Sequence, residues 1–294
     1  MVAAEKLENI DAPLRHKMQV AQSCLKRLGR VVVAFSGGVD STLLLYIAVD
    51  TLGKNNVIAA TAVSAIHPNR ERLAGREIAE KFGVEMVELA TGEMGDPQFV
   101  ANLPQRCYIC KRHVMGPMIE LAGRRGLRAV VSGTNADDLG DFRPGIRAAE
   151  ELGIVNPLIE AGMTKADIRT ISKALGLPTW DKPSSACLAS RVPYGQPLTQ
   201  DTLSRVEQAE DVLRDLGFVS CRLRDHFPVA RIEVAADQIA LAMEMRRTIV
   251  ERIKATGYTF VALDLEGFRS GSLNEVLPPQ TQAAAKPKTK TKTS

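Results

Sequence analysis

Histidine is scarce in this chain, tryptophan occurs once, and aromatic residues together make up only 4% of it. His16, His67, His113 and His226 fall in no metal-ligating pattern and are expected to be structural or solvent-facing. Trp180 reads as a core residue beside a hinge rather than as a stacking surface. No apolar run is long enough to span a bilayer, and the N-terminus lacks the apolar core of a signal peptide. No membrane partner is therefore expected, and the expected location is the cytoplasm. Five cysteines, an odd number, suit such a reducing compartment better than a disulfide framework. A surplus of one charge is missing too. The formal charge of +4 equals the contribution of Lys286, Lys288, Lys290 and Lys292 in the tail, so the rest of the chain is formally neutral. That argues against a nucleic-acid partner for the folded part.

The most informative stretch is Ser36-Gly37-Gly38-Val39-Asp40-Ser41. It follows an apolar run, residues 30–35, and precedes Thr42 and a second apolar run, giving a buried strand, a glycine turn and a helix start. Adjacent glycines let backbone approach an anion, and a helix N-terminus offers free N–H groups and a partial positive charge. Ser36, Ser41 and Thr42 add hydroxyls, and Asp40 could help hold magnesium. A Walker A loop would need a lysine after the glycines, and a dinucleotide fingerprint a third glycine in register; neither is present. The stretch resembles the PP-loop of the N-type ATP pyrophosphatases. That resemblance implies ATP and Mg2+, with Ser36, Gly37, Gly38, Asp40, Ser41 and Thr42 around the pyrophosphate. An ordinary Ser/Gly-rich strand-to-helix turn is the plain alternative.

Around this stretch, strands and helices alternate. Strands are expected over 30–35, 56–63, 85–89 and 128–132, and helices over 42–52, 69–82, 111–125 and 164–175. Such alternation predicts an α/β fold with a parallel sheet, its ligands beyond the carboxyl ends of the strands. The proline-rich segment 180–197 is expected to be a hinge and active-site loop. Helices over 202–216 and 239–254 and strands over 219–224, 230–234 and 258–263 then predict a smaller α+β unit. The expected division is a PP-loop domain over 1–190, a substrate and oligomerisation domain over 191–280, and a disordered lysine-rich tail over 281–294.

A second loop, Ser132-Gly133-Thr134-Asn135-Ala136-Asp137-Asp138, follows the fourth strand. Gly-Thr-Asn-x-x-Asp loops at this place are common in the PP-loop superfamily, which points to Gly133, Thr134 and Asp138 at the nucleotide and its metal. Ala62 and Ser64, ending the second strand, would lie against the adenine by the same resemblance. Cys107 and Cys110 form a Cys-x-x-Cys pair at a helix start beside Arg106, Lys111 and Arg112, where cations and the helix terminus should lower thiol pKa. Cys187 lies between Lys182 and Arg191. A redox pair, half a zinc site, or polar-loop thiols without chemistry remain open readings of the pair. Three thiolates with no evident fourth ligand suit an iron–sulfur cluster with one open iron.

Together, residues 36–42, 106–111, 132–145 and 182–191 resemble the LarE family of ATP-dependent sulfur transferases. The resemblance covers roughly residues 15 to 280 and implies a small-molecule nucleotide substrate, pyridinium-3,5-biscarboxylic acid mononucleotide. A carboxylate of this substrate is adenylated, and sulfur replaces AMP, in the biosynthesis of the nickel-pincer cofactor of lactate racemase. Some members give up the sulfur of a cysteine matching Cys187, but these lack the Cys-x-x-Cys pair. This chain resembles instead the three-cysteine type, with Cys107, Cys110 and Cys187 holding a [4Fe-4S] cluster. The resemblance further implies Lys111 at the nucleotide, Arg191, Glu210, Arg222, Arg224 and Arg269 at the substrate, and a homo-oligomer, trimer or hexamer. Rival readings are an amide ligase, which leaves the cysteines unexplained; a tRNA-thiolating enzyme, disfavoured by the neutral folded part; and a non-catalytic ATP-binding sensor.

Overall fold

The computed structural model describes residues 10–140, 144–183, 185–269 and 271–278. The expected tail at 281–294 lies outside them. Helix α1 (Ala12–Leu28) precedes β1 (Val31–Ala34), α2 (Val39–Leu52), β2 (Val57–Val63), α3 (Asn69–Phe82) and β3 (Glu85–Ala90). Then come α4 (Arg106–Arg124), β4 (Ala129–Ser132), α5 (Pro144–Glu151) and α6 (Lys165–Leu175). The four strands form one parallel sheet in the order β3-β2-β1-β4.

Side-chain alternation along the central strands divides the interior into two layers. Val31 and Val33 of β1, with Val57 and Ala59 of β2, face a core completed by α1, α2, α3 and α6. Val32 of β1, with Ile58, Ala60 and Ala62 of β2, faces Met115, Met118, Leu121 and Ala122 of α4. Helix α2 is apolar almost all round because the sheet and its neighbours enclose it. Its Leu43, Leu44, Leu45 and Ile47 are fully buried, each stabilising the fold by about 1.5–3 kcal/mol. This burial fixes the start of α2, and hence the glycine turn, against β1. Helix α6 starts at a capping box, in which the Thr164 hydroxyl accepts from the Asp167 amide and the Asp167 carboxylate from the Thr164 amide.

The chain continues through α7 (Gln200–Asp215), β5 (Cys221–His226), β6 (Val229–Val234), α8 (Ile239–Glu244), α9 (Arg246–Lys254) and β7 (Phe260–Leu263). These strands form a second sheet, antiparallel between β5 and β6 and parallel between β6 and β7. The single helix expected over 239–254 is broken at Met245. Leu203, Val206, Ala209 and Leu213 line one face of α7 and pack with Leu223, Ile232, Ile249 and Ile253. The same core takes in Ile66, Phe99, Leu188 and Ala189 from earlier in the chain. Among the described residues no helix is long and apolar enough to cross a membrane.

Candidate active site

Each strand of the parallel sheet delivers a polar loop at its carboxyl end. From β1 the chain runs outward to β2 and β3 and then crosses to β4 on the other side of β1, so the crevice between β1 and β4 is the switch point where such sheets bind ligands. The Ser36–Ser41 loop and the Ser132–Asp138 loop flank it.

In the first loop the Ser41 hydroxyl accepts from the Ser36 amide at 3.3 Å and lies 3.1 Å from the Ser36 hydroxyl. Gly37 has φ +68°, and a Cβ there would stand 3.3 Å from the Glu71 carbonyl oxygen and from Gly75 Cα. Only glycine allows both that conformation and that approach to α3. Gly38 caps α2 without a side-chain hydrogen bond, leaving first-turn N–H groups for an anion. Thr42 is fully buried, and its hydroxyl has no partner among the described residues. The two loops touch: a Cβ on Gly133 would lie 2.9 Å from the Ser41 amide nitrogen and 3.0 Å from the Asp40 carbonyl carbon. Asn135 Nδ2 reaches Asp40 Oδ1 at 3.5 Å, Asp138 Oδ2 accepts from the Asn135 amide at 3.0 Å, and the Ser132 and Thr134 hydroxyls stand 2.9 Å apart.

Asp40 is also ion-paired to Lys165 at 2.5 Å. One carboxylate with a lysine beside it is no cation cage, and among the described residues no three His, Cys, Asp or Glu side chains gather to hold a metal ion. Magnesium in nucleotide sites, however, is held by one or two carboxylates together with phosphates. Asp40 beside an anion cradle fits that need.

At the ends of β2 and β3 the structure assembles the sulfur-bearing groups. Helix α4 begins at Arg106 rather than at the expected Lys111, so Cys107 and Cys110 both lie within its first turns. Cys187 precedes the 3-10 turn Leu188–Arg191, and the Leu188 amide donates to the Ile66 carbonyl at 2.9 Å, just past β2. The three thiols are close enough to influence one another: a charge on Cys187 raises the pKa of both Cys107 and Cys110. The expectation of acidic thiols is corrected. Residue Cys107 keeps an exposed surface, yet its sulfur is crowded, and burial followed by Cys187 raises its pKa against Arg106 and Lys111. Burial, Cys187, Glu93 and Cys107 likewise raise Cys110, against Lys111. Lys111, expected at the nucleotide, thus stands beside these two thiols. Cys24 and Cys221 are buried and separate, pushed up to about 12 and about 11, burial being the main cause in each.

The Ser64 hydroxyl donates to Glu93 Oε1 and lies 3.3 Å from His67 Nδ1. Burial holds His67 below the ordinary imidazole value. Glu93, fully buried and absent from the sequence reading, was invisible because nothing local marks Glu93-Met-Gly95 as interior. Ala62 is buried within β2.

The groups expected at the substrate in the second sheet engage one another and their neighbours. Arg191 and Glu210 are wholly buried and given to each other, with Arg191 Nε to Glu210 Oε1 at 2.7 Å and Nη2 to Oε2 at 2.9 Å. Glu210 also accepts from Arg214 at 2.6 Å and from the Leu223 amide at 3.1 Å. Burial raises the Glu210 pKa, but Arg191, Arg214 and Arg222 together hold it below the ordinary range. Arg224 makes a bidentate pair with Glu233 (2.9 and 2.8 Å) and spends its other donors on the Ser190 carbonyl and the Ser272 hydroxyl. Arg222 lies over the Phe268 ring, and burial followed by repulsion from Arg191 lowers its pKa to about 10. Arg269 is ion-paired at the surface with Glu266 and Glu275. Of the five groups expected at the substrate, Arg191, Glu210 and Arg224 are buried in ion pairs within the interior that carries the Cys187 turn.

A family model described as NAD synthase matches residues 9–96. Over 266 residues the chain is 41% identical to the uncharacterized protein slr1717 of Synechocystis, covering 90% of this chain and 99% of that one. It is 37% identical over 266 residues to the pyridinium-3,5-bisthiocarboxylic acid mononucleotide synthase of Lactiplantibacillus plantarum, covering 90% of this chain and 96% of that protein. A tRNA-specific 2-thiouridylase of Leptospira biflexa matches at 28% identity over 55% of this chain and 52% of its own length. The match to the Lactiplantibacillus synthase runs almost the full length of both chains and includes the glycine loop and the Cys187 turn, which makes this chain a member of the LarE family of PP-loop ATP pyrophosphatases.

Proposed function

We infer that the protein is an ATP-dependent sulfur transferase that adenylates a carboxylate of pyridinium-3,5-biscarboxylic acid mononucleotide and replaces AMP with sulfur. The observation that carries this reading is that an anion cradle, between the loops after β1 and β4, shares the carboxyl end of the sheet with Cys187, which lies near enough to Cys107 and Cys110 of α4 for its charge to raise their pKa. An amide ligase would leave the thiols without a purpose.

The residues suggest how the first step runs. A carboxylate resists nucleophiles until one oxygen becomes part of a good leaving group. The substrate oxygen attacks the α-phosphorus of ATP, the bond to the β-phosphate oxygen breaks, and pyrophosphate leaves. Ser36, Ser41 and the first-turn amides of α2 would hold the departing charge, and their fixed geometry avoids reorganisation as that charge develops. Asp40 would hold magnesium, which neutralises phosphate charge, with Asn135 orienting the carboxylate. In the second step sulfur attacks the acyl carbon and the bond to AMP breaks.

For the sulfur, we read Cys107, Cys110 and Cys187 as three soft ligands that would bind a cluster through three thiolates rather than a tetrahedral zinc, although among the described residues they are not gathered as a metal site. Such a [4Fe-4S] cluster supplies, when bound, an open iron that can carry sulfide. The protein's own part is to limit water at two of these thiols: Cys110 and Cys187 pack against an apolar cluster that includes Leu188, Ala189, Phe99 and Ile66. We assign the first sheet to the nucleotide and the second to the support of Cys187, to the substrate and to assembly as a cytoplasmic homo-oligomer. Incubation with ATP and the dicarboxylate tests the reading: AMP and pyrophosphate should appear in equal amounts and only with the dicarboxylate present. ADP and phosphate as products would contradict it, and no turnover would favour a sensor. Protein purified without oxygen should be brown, and each of Cys107→Ala, Cys110→Ala and Cys187→Ala should abolish the colour.

A further inference from the structure

We propose that Lys182 is a positioning residue that couples the occupied phosphate loop to the segment bearing Cys187. The inference rests on the reading that the Ser36–Ser41 loop takes the pyrophosphate of ATP and that Cys187 belongs to the sulfur site. Lys182 lies five positions before Cys187, yet its side chain leaves that segment altogether. Its Nζ donates to the Gly37 carbonyl at 2.9 Å and pairs with Glu71 Oε2 at 2.7 Å.

Carbonyls on both sides of it in sequence are held by arginines. Arg169 donates from Nη1 to the Trp180 carbonyl at 2.8 Å and from Nη2 to the Lys182 carbonyl at 2.7 Å. Farther along, buried Arg191 donates from Nη1 to the carbonyls of Ala186 (2.7 Å) and Cys187 (3.0 Å). Two guanidinium groups therefore clamp the segment on either side, and Lys182 carries its contact with the nucleotide loop.

The peptide between Gly37 and Gly38 is what makes that contact more than a tether. In a trans peptide the carbonyl and the following N–H point in opposite directions. An ammonium on the Gly37 carbonyl fixes the peptide plane, directs the Gly38 N–H away from Lys182 and polarises it as a donor. An anion accepting from that N–H would in turn strengthen the Gly37–Lys182 bond. Glu71 neutralises the ammonium beforehand, so the lysine adds orientation to the loop with little change in net charge. The linkage is reciprocal: whatever tightens the loop tightens the Lys182 end of the sulfur segment.

Hydrogen-exchange mass spectrometry on the full-length protein, with and without saturating ATP, tests the proposal through peptides covering 36–41 and 180–191. In the wild type ATP should slow exchange in both, by about fivefold or more in the second. In Lys182→Met the first peptide should stay protected and the second should lose its response. Equal protection of 180–191 in Lys182→Met overturns the proposal. So does a wild type whose phosphate loop is protected while 180–191 is unchanged, a comparison that decides even if the variant does not fold. A wild-type phosphate loop that ATP does not protect would count against the nucleotide reading itself, and the coupling would fall with it.

Discussion

Glu210→Gln separates a scaffold carboxylate from a ligand carboxylate. In the structure the Glu210 charge answers three arginines: Arg191 and Arg214 by direct contact, and Arg222 through its field. Arg191 is wholly buried and Arg222 nearly so, whereas Arg214 reaches solvent. Neutralising Glu210 removes the carboxylate that wholly buried Arg191 is paired with, and breaking a buried pair from one side costs about 3–5 kcal/mol. For a protein of this size that corresponds to a fall in melting temperature of about 6–20 °C. Arg269→Ala, which removes only solvent-screened pairs, should leave the melting temperature unchanged. The pH dependence follows from the lowered folded pKa of Glu210. The stability it contributes is fully present above the unfolded value of about 4.3 and is lost as pH falls through the folded value. The gap between wild type and Glu210→Gln should therefore be constant near neutrality and close below about pH 4. Thermal melts monitored by circular dichroism from pH 7 downward make the measurement. If Glu210→Gln melts within about 2 °C of wild type while KM for the dicarboxylate rises, the buried-scaffold argument is wrong and Glu210 contacts substrate.

Two further predictions concern the loops and the thiols. Gly133→Ala puts a methyl against the rigid Asp40–Ser41 backbone; overpacking of about 1–3 kcal/mol should weaken ATP binding by about fivefold to about 150-fold, and calorimetry showing unchanged affinity would refute the contact between the two loops. In the reduced, metal-free protein, iodoacetamide labelling of Cys110 should keep accelerating above about pH 9 instead of levelling near the ordinary cysteine value of about 8.5. An earlier plateau would show that Lys111 and the helix terminus outweigh burial.

The nucleotide half of this molecule was legible in the sequence because its determinants are local. An apolar strand, two glycines and a helix start are contiguous, and the crevice at the strand ends follows from βα alternation. Helix α4 was placed too late because Gln105 caps it without a side-chain hydrogen bond, so no capping residue marks its start. The thiol environment was misjudged for a related reason: neighbouring cations can be read from the chain, but burial and the charges of Cys187 and Glu93, distant in sequence, cannot. The arginines of the second sheet show the same limit. Arg222 faces Glu233 across the β5–β6 register, yet the bidentate pair forms diagonally, from Arg224, while Glu210 reaches β5 from α7. The carboxylate partners of these alternating arginines lie on another strand and another helix, which the sequence does not bring together.

The central claim is that ATP primes a carboxylate and that the thiol cluster containing Cys187 provides the sulfur that displaces AMP. Mass spectrometry of the small molecules formed by the Cys187→Ala variant, given ATP and the dicarboxylate, tests it most directly. The account predicts that the acyl adenylate and pyrophosphate accumulate with no thiocarboxylate, while the wild type under the same conditions yields thiocarboxylate and AMP. Thiocarboxylate formed by Cys187→Ala at the wild-type rate would contradict it.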